Sequence, residues 1–235
     1  MIPLAAEVIS RPIGIDGSYN ARLVGSGNAL LRTAALDTLS ADGAETLRSL
    51  GITRIVDLRE DSEVPAGLGG AGIDVLRIPL YRLPDGPPMS GTLEQVYDLL
   101  LETRGAELSA AVAAIADAPG PVLVHCTAGK DRTGLVVALA LSAAGIPREA
   151  IVEDYALSGP EVRRHRLAPV QAILEDLVLD AAAQQDALRL HLDSPPAAIG
   201  HVLDRLAAGG GAAGYLVRHG LNSVQLDRLR QRVLS

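Results

Sequence analysis

The only cysteine of the chain, Cys126, lies in the stretch VHCTAGKDRTG, residues 124–134, among polar and charged neighbours that do not suit a buried structural thiol. Arg132 follows five intervening residues, in a C-x5-R spacing, and Thr133 follows it directly. That spacing suits attack on a phosphate monoester. The nucleophile must approach a phosphorus that is already negative, and the thiolate is the reactive form of cysteine. A cysteine at a strand end, on a turn into a helix, sits near the helix N-terminus. There the dipole and the free N–H groups favour negative charge. Thr127, Ala128, Gly129, Lys130 and Asp131 would curl round the phosphate, with successive amides donating to its oxygens. Gly129 permits close backbone approach. The planar fork of Arg132 holds two phosphate oxygens at once. His125 is expected to orient the loop through hydrogen bonds, and Thr133 to donate to the sulfur as it leaves. No metal or other cofactor is required, because the loop itself supplies positive potential.

The elements that must position this loop are legible on both sides of it. GPVLVHC (120–126) is a short β-branched run after a Pro-Gly-Pro turn, as expected of a buried strand. RTGLVVALALSAAG (132–145) reads as an apolar helix that ends at a glycine. Upstream, residues 40–51 form a helix pattern with Ser40 at the N-cap and Gly51 at its end. ITRIVDLR (52–59) and GIDVLRIPL (72–80) read as strands, and the Pro/Gly-rich 81–91 as a loop. Residues 92–118 are helical with a break near Gly105, and 147–159 form a helix opened by Pro147. Residues 161–208 carry no strand pattern and read as two or three amphipathic helices split by DSPP. The tail reads as a helical pair joined at 220–222. Strands alternating with helices predict an α/β fold, with a central, mostly parallel sheet flanked by helices. The glycine-rich 209–214 is too short for an interdomain linker, so 1–235 reads as a single domain.

Composition narrows the function. Of 235 residues, 48% are hydrophobic, enough for a sizeable core. There is no Phe or Trp, which argues against the stacking platforms of single-stranded nucleic-acid binding. A net charge of −7 disfavours nonspecific binding to nucleic acid. One cysteine makes neither an intramolecular disulfide nor a cysteine-based zinc site. No secretory pattern opens the chain and no apolar window is long enough for a membrane span, so a cytoplasmic protein is expected.

HCTAGKDRTG resembles the signature of cysteine-dependent phosphatases. It is similar, more narrowly, to the bacterial PtpB-type tyrosine phosphatase family, which shares an H-C-x-x-G-K-D-R-T-G loop. LRSLGITRIVDLREDSEV, VEDYALS and GYLVRHGLNSVQLDRLRQRVL also resemble segments of that family, so the resemblance spans most of the chain. It implies a cysteine-phosphatase fold, a cysteinyl-phosphate intermediate and phosphotyrosine as the substrate class. Phosphoserine, phosphothreonine and phosphoinositides follow as further substrates. It also implies a helical lid over 161–208. The family often opens with Asn-x-Arg-Asp, whereas YNARLV keeps Asn20 and Arg22 but places Leu23 at the aspartate position.

The leaving oxygen needs a proton. Asp131 lies inside the loop, where the resemblance implies the acid. Asp57 ends the IVDLR strand, and Asp85 sits in LPDG, a common turn sequence. Asp57 also reads as a structural partner of Arg59. Lys130 either meets an extra phosphate on the substrate or strengthens the loop's potential. EVRRHR (161–166) carries basic residues that could meet a phosphorylated substrate or form a solvated helix face. His165, His191, His201 and His219 lack metal-ligand spacing. Two competing functions are a phosphate-binding pseudoenzyme and a sulfur-transfer enzyme carrying a persulfide on Cys126. The intact loop disfavours the first, and the Arg-Thr-Gly continuation disfavours the second.

Overall fold

Short apolar runs and capped amphipathic segments build one mixed sheet with helices on both faces. The computed structural model describes residues 9–65, 72–82, 91–175, 177 and 179–234. The strands are β1 (Ser10–Pro12), β2 (Arg22–Val24), β3 (Leu30–Thr33), β4 (Arg54–Asp57), β5 (Asp74–Arg77) and β6 (Val122–His125). Their order across the sheet is β1-β2-β3-β6-β4-β5. β3, β6, β4 and β5 run parallel, while β1 and β2 join antiparallel at the β3 edge. Sequence reading assigned no strand before residue 52. These first strands are only three or four residues long, too short to show a period of two.

Burial explains the apolar runs. β6 is buried along its whole length, as a strand between covered faces must be. Its residues alternate between two cores: Val122 and Val124 join the larger, Leu123 the smaller. Leu30 and Leu31 of β3 divide the same way, as do Val56 and Ile55 of β4. The smaller core lies against α1 (Ala41–Ser49), whose N-cap Ser40 accepts from the Gly43 amide. The larger core holds α2 (Leu93–Thr103), α3 (Gly105–Ala116) and α4 (Asp131–Ala144). α2 is closed by a capping box between Thr92 and Gln95. α3 begins at Gly105, where a Cβ would lie 2.3 Å from the His219 ring.

α5 (Arg148–Ala156), α6 (Ser158–Glu175), α7 (Ala181–Leu192), α8 (Pro196–Ala208), α9 (Gly211–Arg218) and α10 (Ser223–Leu234) complete the chain. α6 and α7 pack on each other through a separate small core of Val162, Val170, Leu174, Ala187 and Leu192. α8 instead packs against α2, α5 and α9 within the main core. Of the stretch 161–208, α6 and α7 therefore share a core of their own, and α8 belongs to the body. Amphipathicity alone could not separate them, since both kinds of helix carry one apolar face. Among the described residues no helix is long and apolar enough to cross a membrane.

Candidate active site

The strand register gathers the site at the carboxyl ends of the parallel strands. Thr33, His125 and Asp57 stand side by side on β3, β6 and β4, one residue before Cys126. Ligands bind at such strand ends in open α/β sheets. Residues 126–130 connect β6 to the N-terminus of α4, and Cys126 is buried at the start of this loop.

The scaffold holds the loop by its carbonyls. Thr127 O accepts from the Ala35 amide at 3.1 Å. Asn20 Nδ2 donates to Ala128 O and Gly129 O at 3.1 and 3.0 Å, and Arg32 Nη2 donates to Gly129 O at 2.8 Å. A trans peptide points its N–H opposite its C=O. Anchoring these carbonyls therefore turns the amides of Ala128, Gly129 and Lys130 away from the scaffold. Gly129 has φ +66°, and a Cβ there would meet Thr33 O at 2.3 Å, so the loop needs glycine for both reasons.

Behind the loop, two buried guanidiniums share one carboxylate. Arg22 Nε and Arg32 Nη1 donate to the two oxygens of Asp154 at 2.7 and 2.5 Å, and both arginines also reach Ser158 Oγ. Burial alone would raise the Asp154 pKa, but the arginines outweigh it and lower it to about 2. Burial, with the like charge of Arg32, lowers the Arg22 pKa to about 10 against the pull of Asp154. Asp154 thus receives both arginines from α5, while Leu23, on the opposite face of β2, is buried in the smaller core, 3% exposed.

Arg132 occupies the first turn of α4 and lies with its guanidinium carbon 4.6 Å from the centre of the Tyr81 ring. Its Nη1 and Nη2 donate to Glu63 at 2.5 and 2.7 Å, which leaves Nε for a ligand. Glu63 also accepts from the Thr127 hydroxyl at 2.6 Å. Burial would raise the Glu63 pKa, but the Arg132 contact prevails and lowers it. Sequence reading missed Glu63. It lies 69 residues before Arg132, in a short 3-10 turn within LRSLGITRIVDLREDSEV, where its capping box with Glu60 is the only local mark.

The remaining candidates fall on different sides of the loop. Asp131 lines the cavity over Cys126, and its Oδ1 accepts from Tyr97 Oη at 2.9 Å and Lys130 Nζ at 2.6 Å. Lys130 is fully buried, and its ammonium turns from the cavity to the carbonyls of Leu190 and Asp193 at 3.0 and 2.8 Å. Asp57 binds Arg59 through both oxygens at 2.9 Å and lines a smaller cavity behind His125 that does not include Cys126. Burial raises its pKa less than Arg59 and His125 together lower it. His125 Nδ1 lies 3.2 Å from Cys126 O, and burial lowers its pKa. The Thr133 hydroxyl is buried with no hydrogen-bond partner among the described residues, so it makes no bond to the sulfur. Asp85 lies outside the described residues.

The cavity over Cys126 has a volume of about 180 Å³. Its floor is the loop, with Thr127, Ala128, Asp131 and Arg132, and its sides are Tyr81, Val96 and Glu63. α6 and α7 contribute Val170, Leu174 and Leu190 as an apolar cover. Among the described residues no three His, Cys, Asp or Glu side chains converge on a metal-sized site.

Residues 16–235 match the model of the "Tyrosine phosphatase family". The triple specificity protein phosphatase PtpB of Mycobacterium tuberculosis is 30% identical, over 86% of this chain and 89% of its own. A tyrosine-protein phosphatase of Nostoc commune is 33% identical over 56% of this chain and 48% of its own. Among solved structures, Pseudomonas aeruginosa TpbA aligns with a TM-score of 0.47 at 19% identity, over 92% of this chain and 99% of that one. A family match over almost the whole length, on a loop that holds Cys126 and Arg132 at one cavity, places the chain in the tyrosine phosphatase family.

Proposed function

We propose that Cys126 attacks the phosphorus of a phosphotyrosine residue and carries the phosphoryl group as a cysteinyl phosphate. The observation that carries this reading is the shared cavity of Cys126, Asp131 and Arg132 on a loop anchored through its carbonyls. The sulfur forms a bond to phosphorus as the bond to the tyrosine oxygen breaks. Arg132 Nε and the loop amides hold the oxygens of the phosphoryl group. Asp131 gives the leaving phenolate its proton, then takes one from the water that attacks the cysteinyl phosphate and releases inorganic phosphate. Its place on the cavity supports Asp131 as the acid over Asp57, whose carboxylate is committed to Arg59 on the other side of His125.

The walls of Tyr81, Val96 and Val170 favour an aryl group above the phosphate. The buried commitment of Lys130 supports phosphoproteins rather than phosphoinositides as the main substrates, because its ammonium is spent on Leu190 and Asp193 carbonyls. A lone unprotected thiol also suits a reducing compartment, which supports a cytoplasmic location.

The test is turnover of para-nitrophenyl phosphate and a phosphotyrosine peptide by the wild type and Cys126→Ser. Both substrates should be hydrolysed by the wild type, and rapid quenching should trap phosphate on the protein. Cys126→Ser should bind the peptide and release no phosphate. Peptide binding without turnover by the wild type would mean a phosphate-sensing protein instead.

A further inference from the structure

The basic stretch EVRRHR at the start of α6 divides into two kinds of arginine. Arg163 pairs with Asp193 at 2.6 Å and Arg164 with Glu161 at 3.6 Å, both at the surface. On α7, Arg189 pairs with Glu94 at 3.4 Å. Arg166 is different. It is half-buried, lines the cavity over Cys126, and forms no ion pair among the described residues. It lies beside the Tyr19 hydroxyl, whose pKa burial raises and the Arg166 charge pulls back. His191 of α7 lines the same cavity, and its Nε2 is buried with no hydrogen-bond partner among the described residues.

A guanidinium brings five N–H donors and is costly to hold half-buried without an anion. A buried ring nitrogen without a partner is likewise unsatisfied. Both residues line the cavity in which Arg132 and the loop amides are proposed to hold one phosphate. The same cavity is also lined by the apolar side chains of Val170 and Leu174. The cavity thus combines the proposed phosphate site with an apolar lining and a second set of donors from α6 and α7.

We infer that Arg166 and His191 form a second anion subsite, which takes a carboxylate that flanks the phosphotyrosine in an acidic peptide. This rests on the proposed hydrolysis of phosphotyrosine: the phosphate sits over Cys126, the tyrosine ring meets the apolar lining, and an Asp or Glu side chain next to it reaches Arg166. The geometry selects substrates by a second negative group and not by the phosphate alone.

The experiment compares kcat/KM for two phosphotyrosine peptides that differ only in a flanking Glu or Gln, with wild type, Arg166→Gln, Arg166→Lys and His191→Gln. Because the result is read as the Glu/Gln ratio, it is independent of the overall rate of each variant. A charge-assisted contact at a half-buried site gives an expected wild-type ratio of roughly threefold to tenfold. Arg166→Gln should bring the ratio to about one, Arg166→Lys should keep part of it, and 0.5 M NaCl should compress it in the wild type. A wild-type ratio of one, or a ratio unchanged in Arg166→Gln, overturns the subsite while leaving hydrolysis intact. Arg166 dependence seen only on vesicles carrying a phosphoinositide would assign these donors to a lipid headgroup and overturn the peptide assignment. Absence of wild-type turnover on either peptide would instead overturn the hydrolase reading beneath it.

Discussion

At the scale of single residues, two aspartates expected to compete for one role occupy different environments. Asp131 borders the cavity and keeps one oxygen outside its bonds to Tyr97 and Lys130. Asp57 is locked to Arg59, which in turn reaches Asp37. Asp131→Asn should lower kcat about 10²- to 10⁴-fold on phosphotyrosine, the span of general-acid contributions. The loss should be smaller on para-nitrophenyl phosphate, whose leaving group needs less protonation. Asp57→Asn should act on stability, since breaking a buried pair costs about 3–5 kcal/mol. Stopped assays and melting curves of both variants check the division; a rate loss confined to Asp57→Asn would reverse the assignment. The positions of both carboxylates could be read from the sequence. Their surroundings could not, because Tyr97 of α2 reaches Asp131, and Arg59 brings Asp37 to Asp57, only in the folded chain.

Among the elements, Lys130 joins the phosphate loop to the helical cover. Its Nζ holds the carbonyls of Leu190 and Asp193 at the end of α7, where helix carbonyls lack partners within the helix. Lys130→Met should free this end. Hydrogen exchange in residues 190–195 should quicken, and alkylation of Cys126 by iodoacetamide should accelerate as the cover loosens. Unchanged exchange there would show that the small core of α6 and α7 suffices to hold it. The helices of this cover were legible from the DSPP break and the apolar faces. Their partners were not. α8 has the same kind of amphipathic pattern, yet Ile199 and Val202 are wholly buried in the body.

Over the whole molecule, the buried Arg22–Asp154–Arg32 cluster ties the antiparallel edge, the loop and α5 together. The Asp154 pKa falls from 3.8 in the unfolded chain to about 2 in the fold. The stability it contributes is present above pH 3.8 and is lost as pH falls through about 2. A shift of this size corresponds to about 2 kcal/mol. Melting temperatures measured from pH 6 to pH 2 should fall steeply at the acid end, and Asp154→Asn should be destabilised at neutral pH while losing this part of the acid dependence. An unaltered acid limb in the variant would shift the effect to other carboxylates.

The sequence by itself located the candidate nucleophile, the loop that would hold a phosphate and the strand and helix that flank it, because these lie within one contiguous stretch whose spacing dictates their local geometry. It also set the helix boundaries at Ser40 and Thr92, where capping side chains act over a few residues. The tertiary structure decided what surrounds the loop. Glu63, Asn20, Arg32 and Asp154 come from four separate stretches. It also decided which of the arginines of α6 faces the cavity. Such pairings arise from packing between elements distant in the chain, and neither periodicity nor spacing encodes them.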